Sequence, residues 1–213
     1  MTMYAYPETL LPDARSLLAD AVDYAVVDLG VSTDDFLMFF AISDVARRIE
    51  RGDRSVIHGV SGIELAQRVL TDKTSMSDFR VAETRYSRSV AYWVGWILAT
   101  YQWFSNREFR EILLALPGST IAKMYGVYHE APEERFFAAA EEIVRESFPE
   151  TRLKRIRMAY GCTQARLAEM SGVGLRSIQM YEQRKKNINK AEAESVLRLA
   201  RALGCEMEDL IER

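Results

Sequence analysis

The chain has 213 residues, 48% of them hydrophobic, with 28 Lys+Arg against 31 Asp+Glu and a formal net charge of −3. That length suits two small domains or one large one, and the overall charge by itself argues against a nucleic-acid partner. Two cysteines, Cys162 and Cys205, are too few for a disulfide framework and point to a reducing, cytoplasmic setting.

No basic stretch precedes an apolar core in MTMYAYPETLLPDAR, so no secretory signal is expected. In chain order the elements read as helices. Glu8 to Leu29 carries Leu10, Ala14, Leu17, Leu18, Ala21 and Ala25 at helical spacing and stops at Gly30. Ser32 or Thr33 can cap a second helix, with Asp34 and Asp35 in its first turn and Gly52 at its end. Ser61-Gly62-Ile63-Glu64 is a capping box that opens a third helix, to about Leu70. Thr71 to Tyr86 is polar and aperiodic, and reads as a long loop, functional or mobile.

Ser87 to Phe104 forms an aromatic-rich helix, and its apolar run from Val90 is shorter than the roughly 20 residues a membrane span needs. Arg88 and Arg107 flank that run as they would an anchor, yet a buried helix is the expected reading, with no membrane contact. Asn106 is expected to cap a short helix ending at Pro117, and Ser119 another ending near Gly126. Pro132 suits the first turn of a helix through Phe136, Phe137, Ala140 and Val144, and Pro149 marks the boundary between domains 1–148 and 149–213.

The segment from Leu153 to Asn189 predicts a helix-turn-helix followed by a basic loop. A first helix ends near Gly161; Thr163 caps the next, which begins at Gln164, carries small Ala168 at the helix crossing and breaks at Gly172. Gly174 stands where a capping Ser or Thr is usual, and Leu175 starts the helix expected to enter a DNA major groove. A later helix, Ala191 to Leu203, shows Val196, Leu197, Ala200 and Leu203 as its core stripe, and a short last helix closes the domain.

Charge divides along the same line. Residues 152–190 hold 10 basic and 2 acidic residues, net +8, whereas residues 1–150 hold 15 basic and 23 acidic, net −8. A local cluster of cations matters more to DNA than the global balance, because phosphate binding releases condensed counterions.

Arg176 is the expected bidentate contact to guanine O6 and N7; Leu175 can meet a thymine methyl, and Gln179 an adenine or the backbone. Gln164, Ser177, Arg184, Lys185, Lys186 and Lys190 are expected phosphate contacts that set register. A basic run is often only a solvated loop; its position directly after a recognition helix favours the functional reading here. Met180 and Tyr181 read equally as packing residues.

No catalytic set, metal site or cofactor motif is expected. His58 and His129 lie far apart without ligands at metal spacing, and there is no glycine-rich phosphate loop. The aromatic set between Tyr92 and Phe104 exceeds one buried stripe, so a central buried helix and a ligand pocket or partner groove both stay open.

The last 62 or so residues, TRLKRIRMAYGCTQARLAEMSGVGLRSIQMYEQRKKNINKAEAESVLRLARALGCEMEDLIE, closely resemble the Cro/C1-type (XRE) helix-turn-helix domain of phage repressors and bacterial regulators. Arg184 and Ile188 take places where that family usually has a glycine and a proline, which implies a different loop path. The segments SGIELAQRVL, AYWVGWILATYQWFS and MYEQRKKNINKAEAE look similar to helix-turn-helix antitoxins encoded beside small toxins.

Helical spacing and charge, with the resemblance for the C-terminal part, imply an all-α protein with an acidic helical N-terminal domain for dimerisation or partner binding and a five-helix, lambda-repressor-like DNA-binding domain. The expected function is sequence-specific transcriptional regulation, not enzymatic: a homodimeric repressor on a double-stranded operator, and an antitoxin if a toxin is co-encoded. A regulator whose N-terminal domain binds a small effector is the alternative.

Overall fold

A computed structural model describes residues 4–74, 76–83 and 87–212. The described residues are helical and loop, with no strand among them. The chain forms two compact units, residues 1–147 and 148–213.

Unit 1 begins with a 3-10 turn (Glu8–Leu10) and α1 (Leu11–Asp23), whose last turn widens into a π-helical segment, Tyr24–Asp28. The single helix expected from Ser32 to Gly52 is instead α2 (Thr33–Ala41) and α3 (Asp44–Glu50). Ser43 causes the break. Its hydroxyl donates to the Phe40 carbonyl (2.6 Å) and accepts from the Ala46 amide (3.2 Å), so it ends one helix and caps the next.

Helix α4 (Arg54–Ile57) is one turn, and α5 (Gly62–Lys73) carries the expected capping box. The Ser61 amide and hydroxyl both donate to the Glu64 carboxylate, lowering its pKa. Because α5 runs to Lys73, the loop expected from Thr71 starts later; Ser75 and residues 84–86 lie outside the described residues. Its described part is tethered to the π-helical segment, the Tyr24 hydroxyl donating to the Arg80 carbonyl (2.5 Å) and the Glu83 amide to Asp28 (3.1 Å).

Helix α6 (Val90–Ser105) is capped by Ser89. Asn106 does not open the next helix; it ends α6 in the left-handed conformation (φ 51°). Then follow α7 (Phe109–Ala115), α8 (Gly118–Tyr128) and α9 (Glu133–Ser147), with α8 continuing through Gly126.

Helices α7 and α8 lack a side-chain cap of their own and take one from a distant carboxylate. Glu50 accepts from the Phe109 amide (2.6 Å), and Asp34 from the Ser119 amide (2.7 Å). The core that these helices close over includes the fully buried Leu18, Tyr24, Phe36, Phe40, Leu98, Tyr101 and Phe109.

The described residues of unit 2 form five α-helices: α10 (Arg152–Tyr160), α11 (Gln164–Ser171), α12 (Leu175–Glu182), α13 (Ala193–Leu203) and α14 (Met207–Leu210). A 3-10 turn, Ile188–Lys190, precedes α13. Leu153, Leu167, Val173, Ile178, Tyr181, Ile188, Val196, Leu199, Leu203 and Leu210 form one core. The stripe of α13 is Val196, Leu199, Ala200 and Leu203, so Leu199 replaces the expected Leu197 and completes the i, i+3, i+4, i+7 pattern.

Candidate nucleic-acid interface

The turn between α11 and α12 is built locally. Gly172 takes φ 67°, ending α11, and buried Ser171 both donates to the Leu167 carbonyl (2.7 Å) and accepts from the Val173 amide (3.2 Å). Val173 and Ile178 enter the core, which sets the rotation of α12 about its axis. Leu175 and Arg176 are then exposed, while Ser177, Gln179 and Met180 are half-buried. Arg176 forms no hydrogen bond or ion pair among the described residues.

Under α12 lies an ion pair that pattern reading missed. Arg157 of α10 donates through Nε (2.6 Å) and Nη2 (2.9 Å) to the two carboxylate oxygens of Glu182, and through Nη1 to the Cys162 carbonyl (2.7 Å). Gln164 Nε2 donates to the same carboxylate (2.7 Å). The pair's side chains are only 10% and 2% exposed. Hydrogen bonding to Glu182, above all, holds the Arg157 pKa above its ordinary value.

This network bears on one expectation: the Gln164 side chain, expected at a phosphate, donates inward to Glu182 in this structure. What Gln164 still offers at the start of α11 is backbone, where first-turn N–H groups have no intrahelical acceptor. The sequence signal was present: Glu182 is one of only 2 acidic residues between 152 and 190, and it follows Ile178 and Tyr181 on the buried side of α12.

Arg184 requires a larger revision. It sits at φ 54°, and α12 closes around it in a Schellman arrangement: its amide donates to Tyr181 O (3.0 Å), that of Lys185 to Met180 O (2.9 Å). The left-handed position where the Cro/C1-type domains that this segment resembles usually have glycine is thus kept. Its guanidinium reaches back to the carbonyls of Pro149 (2.6 Å), Glu150 (3.3 Å) and Phe148 (3.4 Å), with Glu212 at 3.5 Å. Where a phosphate contact is expected of it, the Arg184 guanidinium in this structure clasps the start of the unit, its side chain 40% exposed.

Lys185, Lys186 and Lys190 are exposed beside α12, Lys186 with its ammonium 5.3 Å from the centre of the Tyr181 ring. Ile188, in the other departing place, is a core residue.

Strain and clasp act in opposite directions at Arg184, which makes the position testable. A left-handed non-glycine residue costs about 1–2 kcal/mol. Arg184→Gly removes both strain and clasp, whereas Arg184→Ala removes only the clasp. Thermal unfolding is expected to rank the wild type highest, Gly next and Ala lowest, with Ala about 1 kcal/mol below Gly. An alanine variant as stable as the glycine variant would refute the assignment.

Residues 153–210 match the helix-turn-helix family model of Cro/C1 (XRE) type. No curated protein and no solved structure matches the chain. Unit 2 is accordingly a DNA-binding helix-turn-helix of the kind found in regulators, and the protein is all-α, with an acidic helical unit ahead of it. Among the described residues no helix is long and apolar enough to cross a membrane, and no cluster of three or more potential metal ligands occurs.

Proposed function

We propose that the protein is a sequence-specific, non-enzymatic transcriptional repressor acting in the cytoplasm as a homodimer on a double-stranded operator. The observation that carries this reading is the face of α12. Arg176 stands exposed and unpaired at its N-terminal end, and the exposed Lys185, Lys186 and Lys190 follow directly after the helix.

Arg176 reads guanine, with Leu175 against a thymine methyl and Gln179 on adenine or backbone. Ser177, Lys185, Lys186 and Lys190 contact phosphates, joined by the backbone N–H groups at the start of α11 near Gln164. Arg184 acts through the loop, holding the lysines in place.

The test compares two variants on an operator selected from random duplexes. Arg176→Ala is expected to lose about 1–3 kcal/mol on that operator and to relax preference at one base pair. Lys186→Ala is expected to weaken specific and non-specific binding alike and to lower the salt slope by about one unit. Indistinguishable behaviour of the two variants would refute the division of roles.

Unit 1 is proposed to provide dimerisation or to hold a basic partner, such as a toxin encoded beside it, since residues 1–150 carry −8. Light scattering of the chain, alone and with the neighbouring gene product, separates these roles. A chain that stays monomeric and ignores that product excludes both.

A further inference from the structure

Two adjoining cavities of about 430 Å³ each open on unit 1 and share Trp93, Trp96 and His129. Each has the volume of a small-molecule site. The first is walled by Tyr92, Trp93, Trp96 and Tyr125, all half-buried, in a unit that elsewhere buries Phe36, Phe40 and Phe109 completely.

The wall is braced from behind. Trp93 meets Tyr125 (5.4 Å, 80°) and Phe136 (5.8 Å, 85°) edge to face, and His129 stacks on Tyr125 (4.2 Å, 20°). Braced rings need little reordering when a ligand covers them, so less of the contact energy is lost on binding.

The polar groups of this cavity select by charge. Ser89 is committed, accepting from the Tyr92 amide (3.0 Å) and donating to Asp23. Arg88 is not committed. Its guanidinium lies over the Tyr92 ring, 3.9 Å from the centroid, and forms no hydrogen bond or ion pair among the described residues.

With its central carbon over the Tyr92 face, the Arg88 guanidinium has N–H donors that no described residue takes, and a guanidinium fork binds a carboxylate through two parallel bonds. Among the described residues that line this cavity, Arg88 is the permanently charged one. Asp20 is near enough to feel it electrostatically, yet lines a different hollow and forms no ion pair with it. Glu133 and Glu134 line only the second cavity, and Arg15, 3.4 Å from Glu133, already lies over the Trp96 ring.

We propose that the cavity between Arg88 and the Trp93, Trp96 and Tyr125 wall binds a planar aromatic carboxylate, its ring against that wall and its carboxylate in the fork of Arg88. The site lies wholly within unit 1 and stands or falls separately from the DNA reading.

Titration calorimetry of the full chain with 2-naphthoate, 2-naphthylmethylamine and acetate tests it. The expected result is saturable binding of one naphthoate per chain and none of acetate, with the amine at least tenfold weaker than naphthoate. Arg88→Met, at an exposed position, should lower naphthoate affinity at least tenfold without changing the unfolding temperature. Trp93→Leu should abolish binding, and it counts only if the variant unfolds cooperatively. Amine binding equal to or tighter than naphthoate, an Arg88→Met affinity within twofold of wild type, or no saturable naphthoate binding would each overturn the proposal. Selected-operator binding by the same samples reports on unit 2 separately.

Discussion

Replacing Glu182 with alanine is expected to destabilise unit 2 by about 3–5 kcal/mol, the range for breaking a buried ion pair from one side. The carboxylate accepts from both Arg157 nitrogens and from Gln164, and its side chain is 2% exposed. Its removal leaves a guanidinium under α12 with one remaining acceptor, the Cys162 carbonyl. Desolvation of that unmatched cation, more than the lost attraction, sets the size of the effect. The double variant Arg157→Met with Glu182→Leu removes both charges and fills similar volume, so it should recover most of the loss. Hydrogen exchange of the α10–α13 amides in the full chain reads this unit directly. A single-variant cost below about 1 kcal/mol would show the pair to be water-screened, as surface pairs are.

A comparable effect is expected at Gly95. A Cβ there would stand 2.5 Å from the Leu18 carbonyl oxygen and 2.7 Å from Ala19 Cα, both backbone atoms of α1 that cannot rotate away. Gly62 meets the other flank of α1 in the same way, 2.8 Å from the Ala21 nitrogen and 2.9 Å from the Leu17 oxygen. Between them α1 presents Ala14, Ala19 and Ala21, all fully buried, so α5 and α6 approach its backbone with no long side chain to yield.

Gly95→Val should therefore cost about 3 kcal/mol or more, the upper end of overpacking in cores. Gly126 serves as the opposite control. It lies inside α8 with nothing within 4 Å of its would-be Cβ, so Gly126→Ala should gain up to about 1 kcal/mol from helix propensity. Thermal unfolding of the two variants should move in opposite directions. A Gly95→Val protein that unfolds at the wild-type temperature would rule out the close packing of α1 on α6.

What could be read from sequence was whatever a short window determines. The capping box at Ser61, the caps at Ser32 and Thr163, the glycine after α11 and the apolar spacing of α12 all involve residues within one or two turns of each other. What escaped needed a partner far along the chain. Asp34 reads only as a first-turn acid of its own helix and Glu50 carries no local signal, yet they cap α8 and α7 from 85 and 59 residues away. Arg157 is one of the ten basic residues of 152–190, and its partner Glu182 lies 25 residues on.

Local competition misled in two places. Helical periodicity continues across Ser43 and hides the break it makes. Asn106 reads as a start signal, although asparagine also tolerates the left-handed ending that it adopts here. At Arg184 the departure from the family pattern was visible, but its meaning was not. A long basic side chain in a glycine position gives no hint that the backbone keeps the glycine's conformation.

The Arg184 clasp also bears on where this module can be excised. Family similarity begins at residue 153, and a fragment cut there would retain every residue of the core and every residue of the α12 face. It would still discard the three carbonyls at 148–150 that receive the Arg184 guanidinium, and with Glu150 the carboxylate 2.7 Å from Lys154. Glu212 would be left as the sole tether of that side chain, while it also accepts from the Arg152 amide (2.6 Å) in the intact chain. A fragment beginning at Phe148 keeps the strained residue and its acceptors together. The segment of family similarity and the contacts that hold the module together thus have different edges, and the difference is a few residues whose main-chain carbonyls and Glu150 carboxylate bond into the unit.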